Sequence, residues 1–484
     1  MRMRTFFSVV FAGFFVLSVQ GQHSAIWDLR RCVEYAMANN ISVRQADIQA
    51  RAAEVILKQS KYSRLPSLNY SLNHGFSFGR SLNRNTNVFQ DANIMFQNQS
   101  LQTGVTLFNW NSAKNSIAAN QYSVEAEKSN VEKAKNDIGL TVARQYLLTL
   151  LSLEQSKVNE VQLKQSQLQF QNTQKLVEAG SLPPINALEL EAQVARDSAT
   201  LIQSQAQYEI NKLTLKGLLN LPADESFEIA APPVELIPVD NILELTPAGV
   251  YEQAIRSQPQ IKGNNLRLQA AEKAYLSSKG RMMPTISMFG GLQTNFNNTF
   301  TQNYISGTSE QNTGYYIKSP VQQPVFGLVP VIAQRQLDMA TIWNGYGNQL
   351  RNQLGKSLGF SVQVPLFNGW QSKAQVQRSK LDIESSKLAI TRDTLQLKQD
   401  VYNAFQEALG SFQIYLAREK QVQTAERSFE LANRRYELGV MQTIEWQTIQ
   451  NNLTRAKIDK LVSQYDYVFK MKVLEFYKGQ GLRL

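Results

Sequence analysis

The sequence predicts an α+β membrane protein in which a few short transmembrane β-strands alternate with very long α-helices. Three observations predict it. The chain repeats itself, its repeated segments alternate polar and apolar residues, and two long stretches contain no proline.

The first residues read as an export signal. Arg2 and Arg4 precede an apolar run from Phe6 to Val19, and Val19-Gln20-Gly21 offers a cleavage site. That is the pattern of a signal peptide over 1–21. The run is short for a transmembrane helix, which needs about 20 apolar residues, and nothing downstream is longer. A membrane location therefore has to come from strands.

The duplication comes next. Ala52-Ala53-Glu54 matches Ala270-Ala271-Glu272, and Arg64-Leu65-Pro66-Ser67-Leu68 matches Met282-Met283-Pro284-Thr285-Ile286. Val105 to Trp110 matches Val364 to Trp370, and Val177-Glu178-Ala179-Gly180 matches Tyr436-Glu437-Leu438-Gly439. The expected organisation is a first repeat over 22–221, a proline-rich connector over 222–247 and a second repeat over 248–484. The second repeat carries an insertion over 297–357, rich in Asn, Gln, Gly and Tyr, in which Ala333 to Leu354 has room for a helix. Joining two strands on the side away from the helices, it is expected outside the cell or folded over the pore mouth.

Each repeat reads as short helices, strand, loop, strand, very long helix, turn and long helix. Between Ser67 and Phe78 one face is Ser, Asn and Gly; the other is Leu68, Tyr70, Leu72, Phe76 and Phe78, interrupted by His74. Leu358, Phe360, Val362, Val364 and Leu366 alternate likewise, as do Ile286, Met288 and Leu292, and Leu101, Val105 and Leu107 more weakly. A bilayer-crossing strand needs about 9–11 residues of this kind; a half-buried soluble sheet alternates in the same way. Phe108, Trp110, Phe367 and Trp370 recur at matching strand ends, which favours a membrane-interface girdle.

Asn111 to Ala179 is interrupted only by Gly139, and Trp370 to Leu438 only by Gly410. At 1.5 Å per residue each helix runs to about 100 Å. Return helices are expected from Pro183 to Leu219 and from Thr443 to Tyr477, with Gly180 and Gly439 as positive-φ caps. The second long helix carries a heptad, Leu381, Leu388, Leu395, Tyr402, Leu409 and Leu416, and a second stripe, Ile383, Ile390, Leu397 and Ala404, on nearly the opposite side. Such a helix suits a curved wall or ring, or a layer of a flat bundle. Four strands cannot close a membrane barrel, so the chain must oligomerise: two copies give eight strands and three give twelve.

Composition narrows the function. The charge is +11, yet bases are dispersed among acids without a long basic run, so no nucleic-acid partner is expected. Cys32 stands alone and the only histidines are His23 and His74. No disulfide, metal centre, cofactor or catalytic triad is expected, and the chain is not expected to be an enzyme.

Together the duplication, the Trp27-Asp28-Leu29 opening followed by Cys32-Val33 and Ala36, the Phe-Asn-Trp and Phe-Asn-Gly-Trp joints and the Tyr436-Glu437-Leu438-Gly439 turn resemble the TolC family of outer-membrane efflux proteins. The resemblance covers essentially the whole chain after the signal peptide. It implies a homotrimer with a twelve-stranded barrel in outer-membrane lipid, continuous with a periplasmic helical barrel. It implies a periplasmic adaptor (a membrane fusion protein) and an inner-membrane transporter as partners, in efflux or type I secretion. The family narrows its periplasmic end with acidic rings near the start of the last helix. The matching positions are Glu445, which keeps the pattern, and Thr448, which departs from it; their first-repeat equivalents are Asn186 and Glu189. Adaptor contacts fall on Ala179, Gly180, Ser181 and Leu182 and on Leu438, Gly439, Val440 and Met441, where Leu182, Val440 and Met441 are expected to face water. The competing reading is a periplasmic coiled-coil scaffold or adaptor without a barrel, which leaves the paired strands unexplained.

Overall fold

The computed structural model describes residues 26–83, 88–91, 93–230, 240–298, 301–317, 323–336 and 338–479. The expected signal peptide, His23 and the middle of the connector (231–239) lie outside the described residues.

The order is β1 (Ile26–Trp27), α1 (Leu29–Asn39), α2 (Ile41–Tyr62), β2 (Ser67–Ser77), β3 (Arg80–Asn83), β4 (Val88–Asp91), β5 (Ile94–Phe108), α3 (Ser112–Glu178) and α4 (Pro184–Leu219). Then follow β6 (Glu228–Ile229), α5 (Pro247–Ser257), α6 (Pro259–Gly280), β7 (Thr285–Asn297), β8 (Thr301–Ile317), β9 (Gln323–Gln336), α7 (Met339–Asn344), α8 (Tyr346–Asn352), β10 (Gly355–Gln363), α9 (Gln371–Glu437) and α10 (Thr443–Tyr477). Both long helices have 67 residues, and the return helices begin and end within a residue of the expected positions. No helix among the described residues is long and apolar enough to cross a membrane.

The chain divides into two compact units, 54–122 with 268–385, and 1–53 with 123–267 and 386–484. The first unit holds an antiparallel sheet in the order β10-β7-β5-β2. Its strands have 9, 13, 15 and 11 residues, each at least the length a bilayer crossing needs. β10 stops at Gln363, short of the expected Val364 and Leu366, because Pro365 brings no N–H to a ladder.

The insertion departs from expectation. It is mostly a hairpin of β8 and β9, with strand persisting to Gln336 inside the stretch with room for a helix from Ala333. The helical part is two short helices, α7 and α8. Asn and Gln side chains carry no local signal strong enough to announce a hairpin whose strands meet across the chain. The loop between β2 and β5 likewise contains a small hairpin, β3 with β4.

In the second unit α1 shows how the opening motif works. Asp28 caps the helix by accepting from the Arg31 N–H at 2.7 Å. Leu29, Cys32, Val33 and Ala36 fall on one face at helical spacing and are all buried. They pack with Val142, Tyr146 and Leu150 of α3 and Leu215 and Leu219 of α4. Tyr146 Oη donates to the carbonyls of Trp27 and Ala230 at 3.1 and 2.7 Å, tying β1 and the end of β6 to α3. A second core joins Val401, Phe405 and Ala408 of α9 to Met471 and Leu474 of α10 and to Val250 and Ala254 of α5.

Candidate functional site

The sheet is amphipathic in register, which no single strand could reveal. Tyr70, Leu101 and Leu292 pair across three strands. Val105, Met288 and Phe360 form another row, and Ile286 with Val362 the next. These residues share one face, while Ser71, Ser100, Gln102, Gly291, Gln293 and Ser357 occupy the other. Phe289 and Phe96 are exceptions on the polar face, each with its ring against a partner glycine, Gly359 and Gly75, where a Cβ would sit 2.7 and 3.0 Å away. On the apolar face Leu68, Tyr70, Leu358 and Phe360 are all exposed. A contiguous apolar patch of this size marks an interaction surface. β2 and β10 each keep one unpaired edge, which water or another strand must satisfy.

Aromatic residues bound this face at both ends. At the joints to the long helices Phe108 and Trp110 stack edge-on at 5.3 Å. Phe108, Trp110, Phe367 and Trp370 are all exposed. The other end has an aromatic group that sequence reasoning missed. Phe296 of β7 packs against Trp343 of α7 and Tyr346 of α8 at 5.2 and 5.0 Å. Gln97 and Gln99 donate to Tyr346 Oη at 2.7 and 3.1 Å, on the same face as Leu101. The two short helices of the insertion therefore cover the apolar face where it turns polar. Only the spacing of aromatics in 343–346 hinted at this, because the partners are some 50 and 250 residues away in sequence.

In the second unit both helix hairpins turn through the same motif. Gly180 and Gly439 take φ of 77° and 73°. The Ser181 N–H donates to Leu176 O at 2.8 Å, and the Val440 N–H to Arg435 O at 3.0 Å. These are Schellman caps, which close the last carbonyls of α3 and α9. Ala179, Gly180, Ser181, Leu438 and Gly439 are exposed, and so is Val440, as expected. Leu182 and Met441 are not fully so. Both are half-buried, and Met441 packs against a core of Leu190, Ala432 and Trp446 with Phe170, Phe429 and Tyr436 around it. Trp446 stacks on Tyr436 at 5.2 Å. Trp446, five residues further on, anchors the core that takes up the methionine, which adapts its shape to fill gaps.

Glu445 and Thr448 lie exposed on the first turns of α10, and Asn186 and Glu189 lie half-buried on those of α4. Thr448 Oγ1 donates to Ile444 O at 2.8 Å. Beneath them the hairpins meet through polar groups. The buried Asp197 carboxylate accepts from Ser166 Oγ at 2.5 Å and from Gln193 Nε2 at 2.8 Å. Thr454 of α10 donates to Gln162 of α3 at 2.6 Å. The buried amide nitrogens of Asn159, Gln447 and Gln450 have no hydrogen-bond partner among the described residues.

Helix flanks also divide. On α9 Leu381, Leu388 and Leu395 are exposed, whereas Leu397 of the second stripe is buried and Ile383 and Ile390 are half-buried. On α4 Ile185, Leu188, Ala192, Ala195, Ala199 and Ile202 form an exposed seam with steps of three and four residues, the spacing of a helix-packing stripe. Each of these helices thus has one apolar side left uncovered by its own chain.

Residues 33–221 match the family model described as Outer membrane efflux protein. No curated protein matches the chain. The fold is that of solved outer-membrane channels. The CmeC outer membrane channel of Campylobacter jejuni aligns with a TM-score of 0.69 at 13% identity, over 94% of this chain and 86% of that one. The outer membrane protein VceC of Vibrio cholerae aligns with a TM-score of 0.70 at 14% identity, over 94% and 97%. The open state of the MtrE outer membrane channel of Neisseria gonorrhoeae aligns with a TM-score of 0.67 at 17% identity, over 94% and 88%.

Proposed function

We propose that the chain is an outer-membrane exit duct of the TolC type, carrying substrates handed over by an inner-membrane transporter through the periplasm to the outside. The observation that carries this reading is the four-stranded sheet: one face apolar in register, aromatics at both ends, and two edges unpaired. Open edges are not tolerated in lipid, so copies must close the sheet. Three copies make a twelve-stranded homotrimeric barrel, consistent with the even strand numbers of bacterial barrels. The uncovered seams of α4 and α9 suit the same closure among helices, giving a helical barrel in the periplasm.

In this reading Phe108, Trp110, Phe367 and Trp370 are the periplasmic-side girdle. Glu445, with Thr448, Asn186 and Glu189, lines the constriction. Ala179 to Leu182 and Leu438 to Met441 meet the periplasmic adaptor, with exposed Leu438 and Val440 as the apolar contacts. The two-repeat organisation over 22–221 and 248–484 belongs to the same proposal. The duct makes and breaks no bonds.

Extraction from outer membranes in detergent followed by single-particle imaging tests it. Threefold particles with a helical tail on the order of 100 Å are expected. Water-soluble monomers or particles without a barrel would overturn the reading in favour of a periplasmic coiled-coil scaffold.

A further inference from the structure

At the joint between the strands and the helices, within the unit that holds the sheet, lies a cavity of about 850 Å³. Its charged lining is of one sign. Arg64 enters from the α2–β2 connection, Lys114 from the first turn of α3 and Arg281 from the α6–β7 connection. Among the described residues no Asp or Glu lines it. None of the three cations has an ion pair among the described residues. The surrounding sequence repeats this bias: the segments 57–64, 109–124, 273–283 and 368–381, which run into or out of the four strands, contain Lys and Arg but no acid. Ten of the 50 Lys and Arg fall in these segments, while outside them 40 bases face 39 acids, so the excess positive charge falls mainly at the joints, although 253–271 also carries three bases and no acid.

Three unpaired cations held around one concave space repel each other and raise the local concentration of anions. Two are arginines, whose planar fork matches two oxygens of one anion. Ser63, Asn109 and Asn111 add neutral polar groups to the same wall. Thr106, Thr285 and Gln363 also line it and belong to the polar face, where Thr106 pairs with Ser287 and Thr285 with Gln363.

We propose that this cavity is an oxyanion site that takes a phosphate-type group. The inference rests on the duct reading for its biological setting, in which the polar face lines the water-filled lumen and Phe108 beside the cavity marks the membrane interface. The oxyanion comes either from a solute crossing the duct or from a phospholipid headgroup at that interface; both present the same phosphate oxygens.

The test uses the full-length protein and the variant Arg64→Gln/Lys114→Gln/Arg281→Gln, with Arg64→Lys/Arg281→Lys as the charge-conserving control. Folding of each is checked by its melting curve and elution volume. Calorimetric titration with inorganic pyrophosphate, in neutral detergent, reads the solute source. Native mass spectrometry after exchange into mixed phosphatidylglycerol and phosphatidylcholine reads the lipid source. Binding of pyrophosphate weakened at least tenfold in the Gln variant and largely kept in the Lys control supports the site with a solute ligand. Selective retention of phosphatidylglycerol, lost in the Gln variant, supports it with a lipid ligand. Pyrophosphate affinity and lipid retention both unchanged in the Gln variant, or no binding of either probe to the natural sequence, would overturn the proposal. Both readouts are independent of conductance. Failure to form pores in a planar bilayer would therefore count against the duct and not against the oxyanion site.

Discussion

Trp110 and Trp370 stand in the same left-handed backbone conformation, φ 50° and 67°, at the two joints where a strand hands over to a 67-residue helix. Each has a left-handed neighbour, Asn111 after the first and Gly369 before the second. For a bulky residue this conformation costs roughly 1–2 kcal/mol. The chain accepts that cost twice, and in both places the ring stays exposed. An exposed ring held in a strained geometry needs a use, and in the proposed duct the bilayer interface would supply one.

Trp110→Phe and Trp370→Phe, singly and combined, are therefore expected to reduce quenching of the protein's tryptophan emission by brominated phospholipids. The comparison is made in reconstituted protein, with Trp446→Phe as the control because its ring is buried. Equal loss of quenching in all variants would remove both rings from the interface.

The helix turns depend on backbone conformation and not on space. A Cβ at Gly180 or Gly439 would meet nothing within 4 Å, yet both residues have positive φ. Gly180→Ala and Gly439→Ala should each cost about 1 kcal/mol, read as a lowered midpoint in thermal or denaturant unfolding. Asn at either position should recover part of the loss, since it tolerates the left-handed region best among other residues. A neutral Ala substitution would contradict the cap assignment.

Asp393 gives a pH dependence with a defined sign. Burial pushes its carboxyl pKa up. Hydrogen bonds from Arg392, Gln260 and Asn264 outweigh that and bring it to about 2. The amides of Gln260 and Asn264 donate at 2.8 and 2.7 Å, so the carboxylate ties α6 to α9. An unfolded Asp titrates near 3.9. A depressed folded pKa means the contribution is present in full above about pH 4 and is lost as pH falls toward about 2. Asp393→Asn should lower stability at pH 7 and flatten the acid limb over that interval. An acid limb identical to that of the natural sequence would place the titrating group elsewhere.

Glu445 tests the constriction. It is exposed in the first turn of α10, where the helix dipole also favours an acid. If three copies ring the pore, Glu445→Gln lowers the potassium-over-chloride permeability ratio in planar bilayers. An unchanged ratio with unchanged conductance leaves the residue as a helix-start acid alone.

What the sequence determined by itself is the long helices and the four strands of the sheet. α9 and α10 were legible to within a residue because helix periodicity, glycine caps and the absence of proline act over a few residues at a time. The strands were legible from alternation, a period-two signal of equally short range. What only the tertiary structure decided is which elements meet. Register put Tyr70, Leu101 and Leu292 in one row and made four separate alternations into one apolar face. The β8–β9 hairpin, the Phe296–Trp343–Tyr346 cluster and the burial of Met441 beside Trp446 were illegible for the same reason. So were the Asp197 network and the cationic cavity at the joints. Each is made by residues distant in sequence, and a one-residue shift in a strand or a helix face turned by one position would have scattered them. Local preference sets the conformation of a segment, but contact energy between segments is gained only after packing chooses their partners.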